Sequence, residues 1–245
     1  MKWKTIGDVS GFIVALAALV LGFVHVREIR STARDLASVK ASISTQFSGG
    51  FPAFIDDVIA TVESAQHDLV IVCDFPSFAD YSDPRRALIL RQTIERKLHR
   101  GVRVQLICLN AKRRLAILHN EFKRVDFEKN LSTPQGRQLL SRYIGVPVTK
   151  PLTYDAFIDG SNENDEIALR QTFRNASILQ VDAVPIFFWI ADSAHGYSPH
   201  GVMVIQTFAG EQEYGFKTSD PELINALLAT RDQYTHEMSS QVRGN

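Results

Sequence analysis

Cysteine is scarce in this sequence: Cys73 and Cys108 are the only two among 245 residues. Both sit inside apolar runs, so they read as small core hydrophobes. They build no disulfide framework and have no metal-ligand spacing. Net charge is missing too. Lys and Arg total 27, and so do Asp and Glu, so the overall balance points to no class of partner. Beyond residue 50 there is no internal repeat and no low-complexity tract. The chain also has no Walker loop, no GxGxxG, no GxSxG and no HExxH, which removes the commonest nucleotide, hydrolase and zinc-protease signatures. No cofactor and no metal site are expected.

What the sequence does have begins near its start. Val9 to Val26 (VSGFIVALAALVLGFVHV) is an 18-residue run without a formally charged side chain. As a helix it would cover about 27 Å, close to the roughly 30 Å of a bilayer's hydrocarbon core. Arg27-Glu28-Ile29-Arg30 follows, where a cleaved signal peptide would show a small-x-small site. The run therefore reads as a retained single-pass anchor, residues 1–26. Arg27, Arg30, Arg34 and Lys40 outnumber Lys2 and Lys4 across the span. The positive-inside rule then places the C-terminal domain in the cytoplasm, on the inner membrane. Residues 27–49 read as a helical stalk. Ile29, Leu36 and Ile43 recur every seven residues, so a homodimer through residues 26–43 and a helix lying on its own domain are both open. Ser48-Gly49-Gly50 ends the stalk.

Residues 50–238 read as one mixed-sheet α/β domain, and 239–245 as a flexible tail. Phe54, Ile55, Val58, Ile59, Val62 and Ala65 share a helix face. Leu69–Cys73 (LVIVC) is a strand covered on both sides. Ala87, Leu90, Ile94 and Leu98 mark a second helix, and Val102–Leu109 (VRVQLICL) a second strand; strand, loop, helix and strand make a right-handed crossover unit. Asn110 caps a third helix. Residues 126–162 are poorly patterned, with a short helical piece near Leu139–Ile144, and Glu166–Phe173 reads as helix. Ile186–Ala191 and Val202–Phe208 read as a hairpin, and Asp220-Pro221-Glu222 opens a last helix.

Three loops carry candidate chemistry, because α/β domains bind ligands at the tails of their strands. The first starts at Asp74 and holds Tyr81, Ser82, Asp83, Arg85 and Arg86. The second is Asn110-Ala111-Lys112-Arg113-Arg114, three cations at a helix start where the macrodipole is already positive. That placement costs roughly 0.3–1 kcal/mol per exposed cation unless an anion sits there. From Arg85 to Arg124 there are 12 Lys or Arg against two Glu. A phosphate compound, an anionic lipid and nucleic acid all fit such a surface. The bland alternative is that these bases pair with the acidic stretch of Asp155, Asp159, Glu163, Asp165 and Glu166. The third loop, Asp192 to His200, brings Asp192, His195 and His200 into one turn and invites acid/base chemistry.

The run from Glu63 to Phe75 (ESAQHDLVIVCDF), followed by Ile94–Leu109 (IERKLHRGVRVQLICL), resembles the opening half of a phospholipase D-like domain, with Arg100-Gly101-Val102-Arg103-Val104 at that family's helix-to-strand junction. The chain also resembles bacterial membrane-anchored proteins with an "FP…CDFP…SDP" opening. The phospholipase D resemblance implies a strand carrying His-x-Lys-x4-Asp, in which the His attacks phosphorus and the Lys neutralises phosphate. Matching the Asp to Asp192 puts Pro185 where that His belongs and Phe187 where that Lys belongs. The resemblance thus implies a catalytically degenerate domain that keeps an anion-binding surface. The alternatives are a phosphodiester- or nucleotide-processing enzyme with altered residues, drawn from Asp74, Asp192, His195 and His200, and a structural protein that dimerises through its stalk.

Overall fold

The computed structural model describes residues 44–80, 83–148, 151–194, 197–206 and 213–243. The expected membrane span, the heptad positions Ile29, Leu36 and Ile43, and Tyr81, Ser82 and His195 lie outside the described residues. The chain divides into two units, Met1–Ser44 and Thr45–Asn245, and the fold described below is that of the second. Among the described residues no helix is long and apolar enough to cross a membrane.

Among the described residues seven strands form one sheet: β1 (Thr45–Gly50), β2 (Asp68–Val72), β3 (Arg103–Leu109), β4 (Ser177–Val181), β5 (Phe187–Ala191), β6 (His200–Gln206) and β7 (Glu213–Thr218). Their order is β1-β7-β6-β5-β2-β3-β4. β2, β3 and β4 run parallel to one another. β5 joins β2 antiparallel, and β6, β7 and β1 continue antiparallel. The sheet is therefore mixed, as expected, and the β5–β6 hairpin is present.

Alternation along each central strand supplies two cores. Leu69, Ile71, Leu106, Trp189 and Val202 face α1 (Ile55–Ser64) and α2 (Pro84–His99), which contribute Ile55, Val58, Val62, Leu90 and Ile94. Val70, Val72, Ile107, Phe188 and Ile190 face the opposite way and pack under Ile224 and Leu227 of α7 (Pro221–Arg243). The fit over α1 is tight: a Cβ on Gly215 of β7 would lie 2.3 Å from the Cβ of Phe54, so only glycine is accommodated there.

Between β3 and β4 the chain builds a separate helical layer of α3 (Ala111–Glu121), α4 (Arg124–Ser132), α5 (Pro134–Ile144) and α6 (Tyr154–Gln171). It has its own core of Leu118, Phe122, Phe127, Leu140, Phe157 and Ile158. Local chemistry sets its boundaries. Asn110 caps α3 by accepting from Arg113 N at 3.0 Å, and Thr133 caps α5 by accepting from Gly136 N at 3.0 Å. Thr153 caps α6 by accepting from Ala156 N at 3.2 Å. Gly145 ends α5 at φ +68°, a conformation glycine adopts without strain.

Several sequence expectations need correction. The poorly patterned stretch 126–162 is mostly helical, and the helix expected at Glu166 already begins at Tyr154. β1 starts at Thr45, so residues 45–49, assigned to the stalk, belong to the sheet, where the antiparallel β7 backbone pairs with them. The final helix continues to Arg243, taking in residues 239–243 of the expected tail.

Candidate functional site

The expected anion corner does not form as a convergent cluster. Arg114 is fully buried and turned inward, not outward. Its Nη1 donates to Leu109 O at 2.6 Å, its Nη2 bonds Glu166, and its Nε lies 3.3 Å from Asp165 Oδ2. Arg113 is exposed, 3.7 Å from Asp182, whose carboxylate also accepts from Asn110 Nδ2 at 2.8 Å. Lys112 is exposed. Part of the remaining basic run pairs with acids from elsewhere. Arg86 bridges Asp56 and Asp83, Arg96 pairs with Glu63, and Arg85 is exposed at the start of α2. The alternative, pairing with the acidic stretch from Asp155 to Glu166, is met by Arg114 and, at 3.9 Å, by Arg124.

Asp74 does not meet the other acid/base candidates, whereas Asp192 and His200 sit at neighbouring ends of β5 and β6. Asp74 follows β2, whereas Asp192 follows β5, which runs the other way. Asp192 N donates to Asp68 O at 2.8 Å, so Asp192 lies beside the first residue of β2 and Asp74 beyond its last. Six residues of strand separate the two by roughly 20 Å. Each has local work. Asp74 Oδ1 accepts from Phe75 N at 2.7 Å. Asp192, at φ +55°, accepts from Gln66 N and His67 N at 2.9 and 2.8 Å, pinning the turn between α1 and β2. His200 contacts Ser64 Oγ through Nε2 and Ser198 O through Nδ1 at 3.2 Å. Pro185 is exposed and Phe187 is buried in the α1–α2 core, so neither lines a site. The enzyme reading loses the convergence it required.

The structure instead opens a cleft that the sequence did not indicate. It measures about 680 Å³ and lies between the β2–α2 loop and the helical layer. Asp80 comes from the loop, Arg91 from α2, Arg137, Ser141 and Arg142 from α5, Gly145 from the end of α5, and Asn164 from α6. It sits at the tail end of the parallel strands, where α/β domains bind ligands. The loop that carries Asp80 is strained: Ala79 holds φ +69°, a left-handed conformation that is costly for a residue with a Cβ and recurrent beside functional sites.

Electrostatics sorts the arginines of the cleft. Arg91 is bound to Asp80, and Arg137 donates to Leu131 O at 3.0 Å. Arg142 is half-buried and has no hydrogen-bond or ion-pair partner among the described residues. The acids nearby are hard to ionise. Burial raises the Asp80 carboxyl above its usual value despite Arg91. Burial also pushes Asp165 up to about 6, against hydrogen bonds from Ser77 and the charge of Arg114. Among the described residues no group of three or more His, Cys, Asp or Glu could hold a metal ion.

No protein-family model matches the sequence, and no curated protein matches it. Solved structures do show a likeness. The archaeal chromatin protein TrmBL2, whose structure shows a novel mode of DNA binding, is similar at 11% identity with a TM-score of 0.45, over 95% of this chain and 69% of that one. NucT from Helicobacter pylori is similar at 14% identity and TM-score 0.37, over 80% of this chain and 97% of its own. The phosphatidylserine synthase of Haemophilus influenzae Rd KW20 is also similar at 14% and 0.37, over 79% of this chain but 38% of its own.

Proposed function

We propose that this domain binds a phosphate-bearing ligand in the cleft between the β2–α2 loop and α5. In this reading it is a phospholipase D-like domain without that family's catalytic His and Lys, held to the inner membrane by residues 9–26. The observation that carries the ligand is Arg142: a half-buried guanidinium lining an open cleft, flanked by Arg91 and Arg137, with no carboxylate partner among the described residues. A guanidinium fork suits a phosphate's oxygens, and charge-assisted contacts of this kind are among the stronger ones available to a protein.

The test uses the full chain in detergent, titrated calorimetrically with inorganic phosphate and a simple phosphate monoester. Arg142→Ala is expected to weaken binding by about ten- to a hundredfold and to leave unfolding within about 0.5 kcal/mol of the parent. Absence of binding by the parent chain would sink the reading. Retention in the membrane pellet after alkaline carbonate washing checks the anchor separately.

A further inference from the structure

Asp80, Arg142 and Asn164 of the cleft also line a smaller recess of about 20 Å³, together with Ser77, Ser161 and Asp165 among others. Beside Phe75, Leu118 and Tyr143, it presents oxygens that can accept hydrogen bonds. Ser161 is 5% exposed, and its Oγ has no hydrogen-bond partner among the described residues. Asp80 gives one oxygen to Arg91, while its Oδ1 is buried without a partner there. Asp165 accepts from the hydroxyl and the backbone N–H of Ser77. Buried acceptors are nearly always satisfied in folded proteins, because leaving them bare forfeits their hydration. Two unpartnered buried oxygens, Ser161 Oγ and Asp80 Oδ1, with the Asp165 carboxylate beside them, suit a compact group rich in N–H donors. The volume is about that of one water molecule, and a primary ammonium is of similar size.

We infer that the ligand of this cleft is zwitterionic: a phosphate ester that also carries a primary amine, with the ammonium in the recess on Asp80 and Ser161 and the phosphate outside against Arg142 and Arg137. This rests on the phosphate-binding reading and adds the second half of the ligand. It also gives a role to the unpartnered Oδ1 of Asp80, whose other oxygen holds Arg91 at the cleft. Pro185 and Phe187 take no part.

The experiment titrates the full chain in detergent with ethyl phosphate, 2-aminoethyl phosphate and 3-aminopropyl phosphate. The same protein in phosphatidylcholine nanodiscs, with and without phosphatidylethanolamine, reports whether the amine and phosphate come from a free compound or from a lipid headgroup. At least one amine-bearing ligand is expected to bind about tenfold tighter than its amine-free counterpart. Asp80→Asn should erase that preference, read as the ratio of amine-bearing to amine-free affinity in the same variant, and Ser161→Ala, a milder change, should reduce it. Equal affinity for all three phosphates means that the recess holds only water and overturns the inference while leaving the phosphate site standing. Failure of every phosphate to bind removes the phosphate site itself, and the inference with it.

Discussion

Two arginine-bearing places flank the same end of the sheet and differ in what faces them. Where β3 runs into α3, Arg114 meets Asp165 and Glu166, and Arg113 meets Asp182. Across α6, Arg142 meets an open cleft. α6 makes the difference. It turns Asp165 and Glu166 toward Arg114 and the uncharged Asn164 toward the cleft. A cation with a buried carboxylate is part of the architecture; a cation facing solvent-filled space beside strained backbone is available to a ligand. Local sequence charge, high in both places, does not tell them apart.

The strongest challenge to this contrast is Arg114→Ala. It strands Asp165 and Glu166, and breaking a buried pair from one side costs roughly 3–5 kcal/mol, to be read by urea denaturation. A loss as small as that expected for Arg142→Ala would erase the distinction. Next in size is a pH effect. Asp165 holds its proton up to about pH 6 in the folded state, against an ordinary value of 3.8. The folded protein thus binds more protons than the unfolded chain between those values. This contribution to stability is fully present below about pH 4 and is lost as pH rises through 6, by roughly 1–3 kcal/mol. Asp165→Asn should flatten that slope across pH 4.5 to 7.5. Glu63, held low chiefly by its hydrogen bond from Arg96, and Asp83, held low chiefly by the backbone N–H of Arg86, act in the opposite sense, but only below this window. The smallest effect belongs to Asp182→Ala. The exposed Arg113 pair contributes under about 0.5 kcal/mol, so stability should hardly move. The freed Arg113 should add a weak second phosphate site, measurable as a change in stoichiometry.

The parts of the fold that the sequence revealed are those governed by near neighbours. The β2–α2–β3 crossover follows from apolar periodicity and from Gly101 at the helix end, and the β5–β6 hairpin from two apolar runs with a turn between them. Edge strands were not legible. β1 reads TQFSGG and β4 reads SILQV with exposed residues, and neither carries the alternation of a half-buried strand. Strand direction was the costlier omission. Nothing in IFFWIA says that it runs against LVIVC, and that one antiparallel pairing carries Asp192 away from Asp74. The cleft escaped notice because its residues are far apart in sequence and fall largely in the weakly patterned stretch. Asp80, Arg91, Arg142 and Asn164 meet only through packing of the helical layer. Asp165 and Glu166 were visible as possible partners for the basic run, but their specific match to Arg114 was not.

The first described strand is also the outermost one. Among the described residues β1 hydrogen-bonds to β7 and to no other strand, beginning with Thr45 opposite Thr218, whose hydroxyls lie 2.7 Å apart. Any tension transmitted along the chain into the domain arrives at that pair first. It would peel one ribbon of hydrogen bonds in sequence from Thr45 toward Gly50. The cleft adjoins β2, four positions across the sheet, so a load on β1 would act at the sheet's margin and away from the cleft.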